Sequence, residues 1–205
     1  EYAERMQLIR NHAEAVVEGK GVQNLTNMIG FNFRMGEIEA ALGIEQLKKL
    51  PGIINEKIQW AGILSEGLSK LDGLRTPIIK EHCSHVYYAY PLLLDDRITK
   101  THRDKIFKAL VAEGVPALGD RYVNLHLYPM YQNKIAYGSN GFPWTSNLYK
   151  GNVSYEKGIC PVAESLQDEF FLGFVGISQF DLEINDIDLI IKAFQKVWSN
   201  LVLLK

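Results

Sequence analysis

The side chains with chemistry to offer fall in two polar stretches. In the first, Asn24, Asn27, Asn32 and Arg34 lie in a connector that leads into GFNFRMGEIEAALGIEQLKKL, residues 30–50. This puts an amide and a permanent cation just ahead of a patterned helix. The N-terminus of a helix presents unpaired N–H groups and a positive dipole end to anions. A guanidinium cannot shed its charge, so a buried Arg34 needs an anionic partner, either a ligand or a neighbouring carboxylate. An asparagine in the same place can simply cap the helix. In the second stretch, YVNLHLYPMY, His126 lies downstream of Tyr122. Imidazole titrates near neutrality and bonds through either nitrogen, which suits substrate contact or proton transfer. A packed histidine satisfied by a backbone carbonyl has the same spacing. Tyr128, Tyr131, Tyr137, Phe142 and Trp144 follow, able to stack on a planar ligand or to fill the centre of a large loop.

Other chemistries find no support. Neither a GxGxxG nor a GxxxxGK(S/T) phosphate loop occurs, and no GxSxG elbow. The five histidines show no HExxH-type spacing. His82 and His85, flanking Cys83, lack a second pair and read as a coincidence at a strand edge. No metal site and no catalytic residue is assigned. The lysines mostly fall on helix faces, where solvated charge is the default. From its residues alone the chain reads as a binding half without a catalytic centre of its own.

Composition agrees with a globular protein. The chain has 205 residues, 47% hydrophobic and 22% charged, with a formal net charge of −2. With a pI near 6.2, no global field favours nucleic acid or an anionic membrane. Two cysteines, Cys83 and Cys160, have neither disulfide-scaffold density nor metal spacing and read as reduced thiols of a cytoplasmic protein. No apolar run approaches the length of a bilayer span. The charged, helical start without Met is unlike a signal peptide and reads as a processed or truncated product.

Several elements must position these residues. Met6, Ile9, Ala13 and Val16 predict a helix over 2–18, ended by Gly19 and Gly21. A second helix runs from Gly36, with Ile38, Ala41, Leu42 and Leu47 on its core-facing side, until Pro51-Gly52 breaks it. A third carries Ile54, Ile58, Ala61, Leu64, Leu68 and Leu71 and closes at Asp72-Gly73. HVYYAYPLLL, residues 85–94, reads as a strand whose Pro91 calls for an edge or a bulge. Thr101 with Asp104 predicts a capped helix burying Ile106, Phe107, Leu110 and Val111. Residues 115–160 are irregular, a length that is usually functional or partly disordered. A short helix at 162–170, a strand from Phe171 to Ile177 and a helix from Asn185 or Asp186 complete the chain.

At GFNFRMGEIEAALGIEQLKKL the chain resembles the signature of the DegT/StrS sugar aminotransferases, G(Y/F)N(Y/F)RM followed by a (T/S)ELQAA-type helix. LIRNHAE at 8–14 resembles the preceding LxRNHG stretch, and HVYYAYPLLL the strand that opens the small domain. YVNLHLYPMYQ resembles Y-x-P-(L/I)-H-x-x-P, with Asn124 in place of Pro. CPVAESL at 160–166 resembles (L/C)PVAE(R/E)L. The chain departs from the family at Gly36, which replaces a capping Thr or Ser, and in FFLGFVGIS, which lacks the usual Leu-Pro turn.

The resemblance implies an α/β fold, the C-terminal part of a fold type I pyridoxal-phosphate transferase. Residues 1–72 would be the helical end of the large domain and 73–205 a small α/β domain. It implies a homodimer in which Asn32 reaches the phosphate of the neighbour's pyridoxal phosphate, with Arg34 near the same cofactor. Tyr122 and His126 would contact the sugar substrate. The activity implied is transfer of an amino group from Glu or Gln to a keto sugar, often nucleotide-linked, for polysaccharide or secondary-metabolite synthesis. The family's Schiff-base lysine lies upstream of the LxRNHG stretch, so this chain alone is expected to be inactive. A histidine at that upstream position would go with sugar dehydration instead. A non-catalytic dimerisation or ligand-binding module built from the same fold is the reading from another class.

Overall fold

The computed structural model describes residues 2–13, 29–175, 177, 180 and 182–204. Two compact units divide the chain, Glu1–Ile53 and Ile54–Lys205.

In the first unit, α1 (Tyr2–Arg10) ends earlier than its apolar spacing predicts. The reason lies in the next residues: Asn11 forms an antiparallel bridge with Asn32, and His12 and Ala13 adopt left-handed backbone, φ 60° and 59°. The signature segment zips onto this corner. Phe31 N–H donates to Ile9 O at 2.7 Å, His12 N–H to Phe31 O at 3.0 Å and Phe33 N–H to Arg10 O at 2.9 Å. Gly30 is required there, because a Cβ would overlap the backbone of His12 and Ala13. Val16, Gly19, Gly21, Asn24 and Asn27 lie outside the described residues.

The long helix α2 (Glu37–Leu68) follows. Gly36 offers no side-chain cap, but Glu39 reaches back to accept the Gly36 N–H, half of a capping box. The break expected at Pro51-Gly52 does not occur. Pro51 lies inside one continuous helix of 32 residues. Proline removes one ladder bond and crowds the preceding turn, but burial of Trp60, Ala61, Leu64 and Leu68 holds the turns beyond it. Those four residues pack into the core of the second unit, which begins at Ile54. The stripe expected to face a core before Pro51 is open in this chain: Ile38, Leu42 and Leu47 are 79%, 61% and 66% exposed.

The second unit is built on a four-stranded antiparallel sheet of order β1-β2-β4-β3: β1 (Leu74–Arg75), β2 (Ala89–Leu94), β3 (Leu118–Gly119) and β4 (Phe171–Val175). Along β2, Tyr90, Leu92 and Leu94 are buried in alternation, as one covered face demands. Pro91 pairs with Gly173, and β1 reaches only Leu93 and Leu94. A strand central in the sheet is thus locally an edge at its proline. Gly173 lets the strands approach, since a Cβ there would sit 2.7 Å from Tyr90 O.

Helices cover the buried face. After α3 (Asp96–Thr99), α4 (Arg103–Ala112) buries Ile106 and Leu110. Its cap is His102, whose Nδ1 accepts the Asp104 N–H at 3.3 Å. Thr101, the expected cap, is buried instead and its hydroxyl donates to Leu201 O at 3.3 Å. The irregular stretch contains a 3-10 turn at Leu125–Leu127 and α5 (Pro129–Gln132). Then α6 (Pro161–Ser165) runs into a π turn at Leu166–Phe170. Last comes α7 (Ile184–Ser199), opened by a Glu183–Asp186 capping box and burying Ile187, Ile190, Phe194 and Val197.

Candidate functional site

The chemistry-bearing residues separate between the units. In the first, the antiparallel pairing of residues 9–12 with 31–33 fixes the backbone that carries Asn32 and Arg34, and both side chains are exposed. Arg34 is therefore not the buried cation the sequence suggested. Its Nε donates to Asn32 Oδ1 at 3.0 Å, and its NH2 lies 3.4 Å from His12 Nε2. Among the described residues no carboxylate pairs with it, and Asn32 does not cap α2. Among the described residues the amide's NH2 and most guanidinium N–H groups have no hydrogen-bond acceptor, so the arrangement is a cluster of donors around one positive charge.

In the second unit, Tyr122 and His126 stand on the turn that leads into α5. Tyr122 is half exposed, and its hydroxyl meets that of Tyr88 on the segment entering β2. That bond first, with burial and Tyr128 behind it, pushes the Tyr122 pKa up. The backbone at this point is tied down by Gln167, whose side-chain amide donates to Tyr122 O.

His126 is nearly enclosed, its side chain only 11% exposed. Its Nε2 lies 2.9 Å from Glu164 Oε1. Glu164, on α6, is buried, and it also accepts the Gly158 N–H on both oxygens (2.8 and 2.7 Å) and the Cys160 N–H at 3.1 Å. Burial pushes its pKa up, but the Gly158 and Cys160 N–H groups and His126 outweigh it and hold the carboxyl below its ordinary value. Gln132 clamps the other side, donating to His126 O at 2.7 Å and to Tyr155 O at 2.5 Å.

The loop aromatics pack on one another. Tyr131 stands edge-on to Trp144 at 6.2 Å and tilts on Tyr155 at 5.1 Å, and Trp144 Nε1 donates to the Tyr155 hydroxyl. Tyr137 tilts on Phe142 at 6.1 Å. Tyr131, Trp144 and Tyr155 form a half-buried cluster within the loop, the Tyr137–Phe142 pair lies exposed, and Tyr128 stays beside Tyr122. Near the strand entry, His85 Nδ1 accepts the Tyr87 N–H at 2.8 Å, and no group of three metal-ligating side chains forms among the described residues.

Glu164, Gln132, Gln167, Tyr88 and His12 escaped the sequence reading. Glu164 and His12 carried a signal, an acid in the PVAE stretch at a helix start and the histidine of the RNH stretch. The others act through tertiary contacts that no spacing encodes.

Comparison with known proteins places this architecture. The crystal structure of an aminotransferase, TlmJ, from Streptoalloteichus hindustanus matches 98% of this chain and 45% of its own, with a TM-score of 0.64 at 23% identity. The fold is that of the α/β, fold type I pyridoxal-phosphate aminotransferases. The chain belongs to the DegT/DnrJ/EryC1/StrS aminotransferase family, whose pattern matches residues 1–169, and members of this family depend on pyridoxal phosphate. The spore coat polysaccharide biosynthesis protein SpsC of Bacillus subtilis is 27% identical over 140 residues, 68% of this chain and 35% of that protein. A UDP-4-amino-4,6-dideoxy-N-acetyl-beta-L-altrosamine transaminase of Helicobacter pylori is 29% identical over 138 residues, 66% of this chain and 34% of that enzyme. The chain thus spans about a third of the length of these relatives. Among the described residues no helix is long and apolar enough to cross a membrane.

Proposed function

We propose that this chain is the C-terminal portion of a homodimeric sugar aminotransferase that moves an amino group from glutamate or glutamine to a keto sugar. The name of the Helicobacter pylori relative supports a nucleotide-linked sugar as the acceptor. The observation that carries the proposal is Arg34, a guanidinium bonded to an amide and an imidazole, with no carboxylate partner among the described residues. An exposed, preorganised cation beside free amide donors fits a phosphate. Asn32 and Arg34 are therefore the residues that would hold the phosphate of pyridoxal phosphate. When bound, that group supplies the electron sink for amino transfer. The open apolar face of α2, with Ile38, Leu42 and Leu47, supports burial against further protein in the dimer.

In this reading each residue of the chain has a simple task. Asn32 orients the Arg34 guanidinium through its Oδ1 and donates from its NH2. Arg34 neutralises the phosphate charge. Tyr122, steadied by Tyr88, offers a hydroxyl to the sugar. The test is cofactor retention by the full-length protein, followed by the absorbance of the bound pyridoxal. Arg34→Ala and Asn32→Ala should each weaken binding by about tenfold or more, the loss expected for a hydrogen bond to a charged group. Unchanged affinity in both variants removes these residues from the cofactor site.

A further inference from the structure

Glu164 holds its hydrogen bonds in a pattern that determines where the protons are. Both carboxylate oxygens accept backbone N–H groups, from Gly158 at 2.8 and 2.7 Å and from Cys160 at 3.1 Å. Oε1, the oxygen that faces His126, accepts two of these N–H groups, so both of its lone pairs are engaged and it has no place for a proton to donate. The 2.9 Å contact with His126 Nε2 is then possible only if Nε2 carries the hydrogen and donates it. In the neutral ring Nδ1 must be the bare nitrogen, with its lone pair free. Among the described residues nothing donates to Nδ1. Turning the ring over would put a carbon where Nε2 now meets Glu164 and lose that bond, and Gln132 fixes the backbone behind it.

We infer that Glu164 is a positioning residue that locks His126 as the Nε2–H tautomer, so that His126 meets its substrate through Nδ1 as a hydrogen-bond acceptor. This rests on the aminotransferase reading for the identity of the substrate, a sugar, whose matching group is a hydroxyl acting as donor. It does not rest on that reading for the tautomer. The ring keeps 11% of its side-chain surface open, room for one contact rather than for a stacked ligand. Selectivity follows: a sugar lacking that hydroxyl, or carrying an acceptor in its place, leaves Nδ1 unpaired.

Two arms test the inference. Two-bond proton–nitrogen correlation spectra of the full-length protein labelled at histidine report the tautomer directly, with His126→Gln assigning the signal. The wild type should show His126 as Nε2–H, and Glu164→Ala should release it to a mixture of tautomers. A wild-type Nδ1–H form overturns the inference without any variant having to fold. So does an unchanged tautomer in a folded Glu164→Ala protein.

The second arm is kinetic, in the full-length enzyme with keto sugar and amino donor. His126→Gln keeps a donor for Glu164 near the Nε2 position but has no acceptor at the Nδ1 position. It should raise KM for the sugar by about tenfold while kcat for turnover changes little, the loss of one neutral hydrogen bond. A purely structural histidine would leave KM unmoved in that variant, which overturns the substrate contact. If the wild type turns over no keto sugar, the aminotransferase reading fails, and the spectra still decide the tautomer.

Discussion

Tyr90 allows a stability test whose sign and size both follow from its surroundings. The ring is 1% exposed on β2, edge-on to Phe174 at 6.1 Å, with its hydroxyl 2.8 Å from Ser65 Oγ. Burial, moderated by the Ser65 hydroxyl and reinforced by Tyr87, pushes its pKa from 10.0 up to about 12. That difference corresponds to roughly 3 kcal/mol in favour of the neutral phenol. The folded pKa lies above the unfolded one. The contribution is therefore fully present below the ordinary phenol pKa of 10.0 and is lost as pH rises through about 12. Tyr90→Phe removes the ionisation but also leaves Ser65 without its partner, a cost of about 1 kcal/mol near neutrality. The two effects oppose each other. Urea unfolding at stepped pH should find the wild type more stable near neutrality, with the gap closing about one pH unit above the ordinary phenol pKa and reversing beyond it. The result that refutes the reasoning is a gap that stays constant into that range. Phenolate absorbance of Tyr90 developing together with that of the exposed tyrosines would refute it equally.

Two further outcomes bear on the sites themselves. Gly30→Ala should push the signature segment off residues 9–13, because the new Cβ overlaps the backbone of His12 and Ala13; amide exchange at Phe31 and Phe33 reads this, and unchanged protection would show that the corner can give way elsewhere. The Glu164 carboxyl is held below its ordinary value, so its stabilising contribution is present above the unfolded-state pKa and is lost as pH falls through the lower folded one. A carboxyl-carbon NMR titration with falling pH should find Glu164 protonating later than the exposed glutamates, together with loss of Gly158 and Cys160 amide protection; protonation along with those glutamates contradicts the geometry.

Periodicity and turn chemistry made much of the second unit legible in the sequence. The Ile187, Ile190, Phe194 and Val197 stripe and the strand Ala89–Leu94 within HVYYAYPLLL each follow from a local rule that packing then reinforces. The same rules failed where a distant contact outweighed local preference. Pro51 should end a helix, but the core residues beyond it keep the helix intact. Thr101 should cap α4, but it is buried against Leu201 and His102 caps instead.

The site shows the same division. GFNFRMGEIEAAL pointed to the family, and through that resemblance to Asn32 and Arg34 as candidates, because the signature is written in contiguous residues. Tertiary structure alone decided that Arg34 stands exposed beside His12, and that a carboxylate far along the chain sets which nitrogen of His126 carries the proton. Local sequence encodes backbone preference and apolar faces. The protonation and orientation of a side chain depend on what folding brings within 3 Å of it, and for His126 that is Glu164 at 2.9 Å.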